Sequence, residues 1–116
     1  MSEPPDMIKK AMKKSYKELT VTEAPVKTKN ELAAELKSEG YSFYEWSDPP
    51  GAYYAPHSHE YDECICVIDG KMTFYVDGAE YELGFGKKLY LPKGTMHESR
   101  NKSDKKVTYF IGELKQ

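Results

Sequence analysis

The sequence predicts a small all-β domain, in which about eight short antiparallel strands follow one helix. Apolar and aromatic stretches alternate with turn signals throughout the chain after Gly40. Asp69-Gly70 and Asp77-Gly78 are strong hairpin signals, because both dipeptides tolerate the left-handed backbone of a tight turn. Ten tyrosines and four phenylalanines also favour strands. The pattern therefore indicates an antiparallel sandwich or barrel. The predicted strands are residues 41–46, 53–59, 63–68, 71–76, 79–83, 88–91, 96–100 and 106–114.

The helix is predicted from its ends. Thr28 and Glu31 have the spacing of a capping box, apolar residues follow at helical spacing, and Gly40 ends the pattern. We predict a helix from Lys29 to Glu39. A single helix does not make the helix pair of a helix-turn-helix DNA reader.

We divide the chain into an N-terminal arm with a short helix, residues 1–40, and a barrel domain, residues 41–116. A lysine series within 1–23 could form one side of a helix and bind an acidic partner. A solvated arm is the more common behaviour of such a segment. The series consists of Lys9, Lys10, Lys13, Lys14 and Lys17.

The composition argues against several classes of partner. The net charge is 17 − 19 = −2, which gives no attraction to nucleic acid. The sequence contains no apolar run long enough to span a membrane, and its polar start does not resemble a secretory signal. We expect a cytoplasmic protein.

The two cysteines are predicted to be reduced and buried. On a strand, Cys64 and Cys66 would leave the same face with Cα atoms roughly 6.6 Å apart, near the outer limit for a disulfide. The sequence offers no further cysteine for a soft metal site. Because alternation places both with Ile68 on the face opposite Glu63, this row is a plausible self-association surface for a homodimer.

All three histidines fall in two places. His57 and His59 are one residue apart, so a strand would point both imidazoles to one side. On a straight strand Glu63 would lie roughly 13 Å beyond His59, too far to share an ion with it. The chain must therefore fold back between them. His97 follows a predicted Pro92–Gly94 turn, and a curled sheet could carry it to the same cavity.

These residues match two known motifs at every defined position. The first consists of Gly51, His57, His59, Glu63 and Gly70, with five, one, three and six residues between them. The second consists of Gly86, Pro92, Gly94, His97 and Asn101, with five, one, two and three residues between them. Over residues 41–114 the chain resembles the small single-domain cupins.

The resemblance implies a jelly-roll barrel whose interior is lined by both motifs. It also implies that His57, His59, Glu63 and His97 are metal ligands and that Asn101 is structural. Three imidazoles and a carboxylate suit one divalent Mn, Fe, Co, Ni, Cu or Zn ion better than Ca or Mg. Four protein ligands would leave one or two positions open for water or substrate.

Alternation along the strands suggests which side chains line a substrate pocket, although such residues are more often core. The candidates are Tyr53, Met72, Phe74, Ser99 and Tyr109. Their apolar and aromatic character favours a small organic ligand. Arg100 is the sole arginine and points away from His97's face, so no clamp for a phosphate or carboxylate is evident.

Two classes of function remain open. The first is a metal-dependent enzyme that cleaves a small molecule with oxygen, isomerises it or decarboxylates it, with Glu63 as ligand and possible base. The second is a non-catalytic module that binds or senses a small ligand or the metal. By the resemblance, Glu63 counts against the thiol-oxidising members, which usually carry three histidines alone.

Overall fold

A computed structural model describes residues 20–23 and 28–114. The described residues form one helix, α1 (Lys29–Ser38), and nine strands. All eight predicted strands are present, with ends that differ by no more than two residues. The strands are β1 (Thr20–Glu23), β2 (Ser42–Asp48), β3 (Tyr53–His57), β4 (Asp62–Asp69), β5 (Met72–Val76), β6 (Ala79–Leu83), β7 (Lys87–Leu91), β8 (His97–Arg100) and β9 (Val107–Leu114).

The strands form two antiparallel sheets, which confirms the predicted all-β fold. One sheet has the order β1-β7-β4-β9-β2 and the other the order β3-β8-β5-β6. Alternate residues of facing strands fill the space between them, as expected for half-buried strands. This core consists of Ile65, Val67, Met72, Phe74, Val76, Leu83, Leu89, Leu91, Val107 and Tyr109.

Strand β1 corrects the sequence analysis, which placed the first strand after Gly40 and assigned residues 1–23 to an arm. Thr20–Glu23 pairs with β7 from Tyr90 to Lys87. Its β-branched residues favour an extended backbone, but four residues beside a lysine-rich segment are too few for a clear pattern. The predicted lysine-bearing helix lies outside the described residues.

Helix α1 begins as predicted and ends one residue early. The Thr28 hydroxyl accepts from the Glu31 N–H at 3.1 Å, and the Glu31 carboxylate accepts from the Thr28 N–H at 2.8 Å. This reciprocal capping box satisfies two backbone donors that the helix itself leaves unpaired. Gly40 follows the helix with φ +93°, a conformation that favours glycine.

Helix α1 covers the outer face of the five-stranded sheet. Leu32 and Leu36 pack in one cluster with Cys64 and Cys66, and all four side chains are fully buried. Both cysteines are free and buried, as predicted. The proposal that their row is a self-association surface is wrong, because the helix occupies it. The homodimer itself stays a prediction.

A buried lysine lies beneath the same helix. Lys88 is 3% exposed, and its ammonium group forms ion pairs with Glu35 and, at 3.6 Å, with Glu39. A buried charge without a partner would be strongly destabilising, so the two helical carboxylates fix how α1 lies on the sheet.

Asn101 joins two loops at one end of the sandwich, which accords with its predicted structural role. Its amide group donates to the carbonyls of Lys105 at 2.8 Å and Pro49 at 3.2 Å. Its backbone N–H and carbonyl pair with Ala52 and Gly51. The residue therefore ties the β2–β3 turn to the β8–β9 loop. In the described part of the chain, no helix is long and apolar enough to cross a membrane.

Gly70 and Gly78 offer a matched test of backbone packing. Both have φ near +80°, but a Cβ at Gly70 would lie 2.6 Å from the Lys106 carbonyl oxygen, whereas a Cβ at Gly78 meets nothing within 4 Å. We expect Gly78→Ala to lower the free energy of unfolding by about 1 kcal/mol, the usual cost of a left-handed alanine, and Gly70→Ala to lower it by about 3 kcal/mol or more. Urea unfolding measures both values. Equal losses would contradict the close approach at Gly70.

Candidate metal centre

The three histidines converge at one point inside the barrel. His57 ends β3, His59 lies in the loop after it, and His97 begins β8. One nitrogen from each imidazole lies within 4.8 Å of the others. The ring centroids are 4.4 Å apart for His57 and His97 and 5.0 Å apart for His57 and His59. Two paired strands of one sheet and one loop therefore bring together residues that are up to 40 positions apart in sequence.

Backbone hydrogen bonds hold this convergence in place. The N–H of Gly94, in the turn before His97, donates to the carbonyl of His59 at 2.9 Å. The neighbouring Lys93 N–H donates to the Asp62 carboxylate at 2.8 Å. The turn that leads to the third histidine is thus attached directly to the loop that carries the second.

The hydrogen bonds of the rings define which nitrogen faces the centre. Nδ1 of His57 lies 2.7 Å from the Ala55 carbonyl, and Nδ1 of His97 lies 2.9 Å from the Thr95 carbonyl. A carbonyl can only accept, so both Nδ1 atoms carry the proton and both Nε2 atoms present a lone pair. Nδ1 of His59 instead meets the Tyr61 hydroxyl at 3.2 Å.

Glu63 places a buried carboxyl beside the imidazoles. The residue is 6% exposed, and its Oε1 lies 3.6 Å from His59 Nε2 and 3.5 Å from His97 Nε2. Oε1 has no hydrogen-bond donor among the described residues. Burial, with a smaller contribution from the Glu113 charge, raises the pKa of Glu63 to about 7. An oxygen in this position is costly unless a cation approaches it.

This donor set fits a divalent transition metal. Three imidazole nitrogens with available lone pairs and one carboxylate oxygen are the ligands that Mn, Fe, Co, Ni, Cu and Zn accept. Burial also lowers the pKa values of His59 and His97, which keeps both rings neutral at physiological pH. Of the candidate ligands predicted from the sequence, His57, His59 and His97 form one group of donor atoms. The fourth, Glu63, lies beside two of these histidines.

An open cavity of about 240 Å³ leads to this point. It is slightly smaller than the roughly 300 to 1,000 Å³ of typical small-molecule pockets. Aromatic rings form most of its wall. The lining residues are Tyr44, Trp46, Tyr54, His57, His59, Tyr61, Glu63, Ile65, Phe74, His97, Ser99, Tyr109 and Ile111.

Three of the five predicted pocket residues, Phe74, Ser99 and Tyr109, line the cavity, and two do not. Met72 is fully buried in the core between the sheets. Tyr53 lies on the outer face, where its hydroxyl donates to Glu98 at 2.6 Å and Arg100 lies 4.3 Å from its ring centroid. The prediction failed at Tyr53 because the pairing of β3 shifts register between Tyr54 and His57, which breaks the alternation.

Four aromatic wall residues were missed: Tyr44, Trp46, Tyr54 and Tyr61. Tyr44 and Trp46 are two residues apart on β2, so strand alternation with Ile111 and Tyr109 across the β2–β9 pair could have found them. Tyr54 and Tyr61 depend on a bulge and a loop, for which the sequence carries no clear signal.

A buried carboxylate holds part of this wall. Asp48 accepts hydrogen bonds from the Tyr109 hydroxyl, from the Tyr54 hydroxyl at 2.6 Å and from Trp46 Nε1 at 3.0 Å. Burial and the bond to Asp48 raise the pKa of both tyrosines. Because these polar groups are bound to Asp48, the cavity is walled by ring faces and edges.

Comparison with known proteins agrees with this architecture. The family model for the cupin domain matches residues 44–111, more than half of the chain. The chain therefore belongs to the cupin family.

Individual relatives are more distant. The chain is 33% identical over 85 residues to quercetin 2,3-dioxygenase of Bacillus subtilis, which covers 72% of this chain and 25% of that protein. It is 37% identical over 57 residues to an uncharacterized protein of Aquifex aeolicus, covering 48% of this chain and 47% of that one. The chain thus spans about a quarter and about half of the lengths of these relatives.

Solved structures show the same fold. A cupin-2 domain protein of Shewanella frigidimarina has a TM-score of 0.56 and 22% identity, covering 65% of this chain and 71% of that one. A cupin 2 conserved barrel domain protein of Salinispora arenicola has a TM-score of 0.58 and 23% identity, covering 64% and 62%.

The raised pKa of Glu63 predicts how the stability of the metal-free protein depends on pH. Between pH 4.5 and 7 the folded state holds this proton while the unfolded state releases it, so the free energy of unfolding falls as pH rises. Glu63→Gln removes this contribution. We expect the variant to match the parent near pH 4.5 and to exceed it by about 3 kcal/mol at pH 8.

Urea unfolding at several pH values measures the difference between parent and variant. With saturating Zn(II) at pH 8 the order should reverse, because the parent carboxylate gains a cation. A difference that is constant with pH would contradict the burial of an ionisable carboxyl at this point.

Proposed function

We propose that this cupin domain is a metal-dependent enzyme that acts on a small organic molecule inside the barrel. The proposal is carried by one observation: three imidazoles and a carboxyl oxygen without a hydrogen-bond donor line the same aromatic cavity. A cavity that leads to the donor atoms allows a substrate to reach them. A purely structural metal site is closed on all sides.

The residues of the chain have distinct roles in this proposal. Nε2 of each histidine and Oε1 of Glu63 hold the ion. A bound divalent transition metal supplies Lewis acidity and, where the ion is redox-active, a path for electrons between substrate and dioxygen. Glu63 stays a ligand or leaves the ion and accepts the proton of a substrate hydroxyl, since its carboxyl group lines the cavity. The aromatic walls orient the molecule and exclude water.

Oxygen-dependent cleavage of a planar, enolic or phenolic molecule is the reaction that the observations favour most. The walls offer ring faces from Trp46, Tyr54 and Tyr109 with their polar groups already bonded to Asp48. Such surfaces suit a flat aromatic or conjugated molecule. The similarity to a quercetin 2,3-dioxygenase supports the same class, although it covers only a quarter of that protein.

The decisive experiment loads the purified chain with Fe(II), Mn(II), Ni(II) or Zn(II) in turn. Oxygen consumption is then measured with β-diketones, flavonols and enediols. We expect at least one metal form to turn over one of these classes. The His97→Ala variant should bind the metal at least 100-fold more weakly, because it lacks one of the three nitrogen ligands. It should also lose all turnover.

A matched control is Tyr53→Phe, which changes an aromatic residue of β3, the strand paired with β8, on the outer face of the sheet. This variant should keep metal content and turnover. If every metal form binds these molecules without consuming them, the chain is a binding or sensing module and the enzymatic proposal is wrong.

A further inference from the structure

His59 differs from the other two histidines in how its outer nitrogen is held. His57 and His97 each place Nδ1 against the carbonyl of the residue two positions earlier. Those acceptors belong to the local backbone and cannot change without moving the strand. Nδ1 of His59 instead lies 3.2 Å from the hydroxyl of Tyr61. One of the three candidate ligands is therefore oriented by a side chain.

Tyr61 extends this contact to a second carboxylate. Its ring stacks on the His59 imidazole, with centroids 5.0 Å apart and planes inclined by 18°. Its hydroxyl also forms a side-chain hydrogen bond with Glu113. A carboxylate can only accept, so the tyrosine O–H donates to Glu113. The same hydroxyl oxygen then accepts from Nδ1–H of His59.

The direction of these bonds suits a ligand. With the proton on Nδ1, the lone pair of His59 is on Nε2, which is the nitrogen 3.6 Å from Glu63 Oε1. All three imidazoles then present the same nitrogen to the centre.

The pairing of β4 with β9 places Glu113 beside the candidate metal centre. Glu113 on β9 is the direct cross-strand partner of Glu63 on β4. Glu63 lines the cavity with Ile65 and Ile111, and alternation along β9 places Glu113 on the same face as Ile111. Two neighbouring carboxylates on one face normally repel each other. Here one faces the imidazoles and the other is joined to Tyr61.

We propose that Tyr61 and Glu113 are positioning residues, which form a carboxylate–hydroxyl–imidazole relay that fixes the tautomer of His59 and strengthens it as a ligand. Residues that hydrogen-bond to a metal ligand commonly change metal affinity by about 10- to 100-fold. The inference rests on the proposed metal centre and extends it. The relay acts on one ligand only, whereas backbone carbonyls hold the other two.

The first test reads the tautomers of the metal-free protein by ¹⁵N NMR of the imidazole rings at pH 8. In the parent, His57, His59 and His97 should all carry the proton on Nδ1. In Tyr61→Phe, His59 alone should shift to a mixture with the Nε2–H form. An unchanged His59 signal in a folded variant would overturn the proposal, since a merely packed ring has no influence on the tautomer.

The second test measures Zn(II) and Co(II) affinity by competition with a chromophoric chelator. Tyr61→Phe should bind 10- to 100-fold more weakly, and Glu113→Gln should show a smaller loss. In the Tyr61→Phe background, Glu113→Gln should change affinity by less than about twofold, because Glu113 acts through the hydroxyl. Full additivity would overturn the relay and assign Glu113 a through-space charge effect.

Tyr53→Phe is the matched control. It removes a tyrosine hydroxyl on the outer face of the sheet, where it donates to Glu98 at 2.6 Å, and it should leave metal affinity unchanged. Glu113→Gln, at a partly exposed position, also allows the tautomer test if Tyr61→Phe does not fold. It should then move the His59 signal in the same direction.

The outcomes separate this inference from the proposed function. If the parent binds neither metal, both are wrong. If the parent binds metal and turns over a substrate while Tyr61→Phe retains the parent's affinity and tautomers, only the relay is wrong. Weaker metal binding with unchanged tautomers would also overturn the relay.

Discussion

The site depends on the burial of one carboxyl group that lacks a donor. Oε1 of Glu63 lies 3.5 Å from Nε2 of His97, which presents a lone pair, and 3.6 Å from Nε2 of His59, in a region of low solvent access. The fold tolerates this arrangement because the surrounding core and sheet hydrogen bonds determine where β4 lies. A cation bound at this point would recover the free energy that folding spends on desolvating Glu63 and the imidazoles.

The backbone, more than the side chains, sets the geometry of the donors. The Gly94–His59 hydrogen bond joins two loops, and the Ala55 and Thr95 carbonyls fix two ring orientations. Loops are usually the mobile parts of a protein. In this protein the loop that carries His59 is hydrogen-bonded to the turn that precedes His97, which gives the precision that an ion would require of its ligands.

Much of the fold could be predicted from the sequence, because its signals are local. The capping box at Thr28, the Asp-Gly hairpins and the motif glycines each specify a backbone conformation within a few residues. The convergence of His57, His59, Glu63 and His97 could not be predicted from local signals. Their spacing shows only that the chain must fold back between His59 and Glu63. The resemblance to a known family supplied the remaining geometry.

The errors have a common cause in long-range contacts. Tyr53 was assigned to the cavity because alternation was extended through a register shift that only the partner strand β8 reveals. The Cys64–Ile68 row was assigned to the surface because nothing in β4 indicates that α1 lies on it. The relay through Tyr61 and Glu113 joins a loop to a strand far along the chain. No local sequence pattern predicts a contact between two such residues.

Because α1 covers Cys64 and Cys66, modification of the two thiols reports how often this helix leaves the sheet. Burial raises the pKa of the Cys64 thiol well above its usual range, so the docked state offers no reactive thiolate to an alkylating reagent. Labelling then requires the helix to lift from the sheet and expose Lys88 together with both thiols. The rate of modification in native conditions would consequently follow the opening equilibrium of this single element, separately from the unfolding of the barrel behind it.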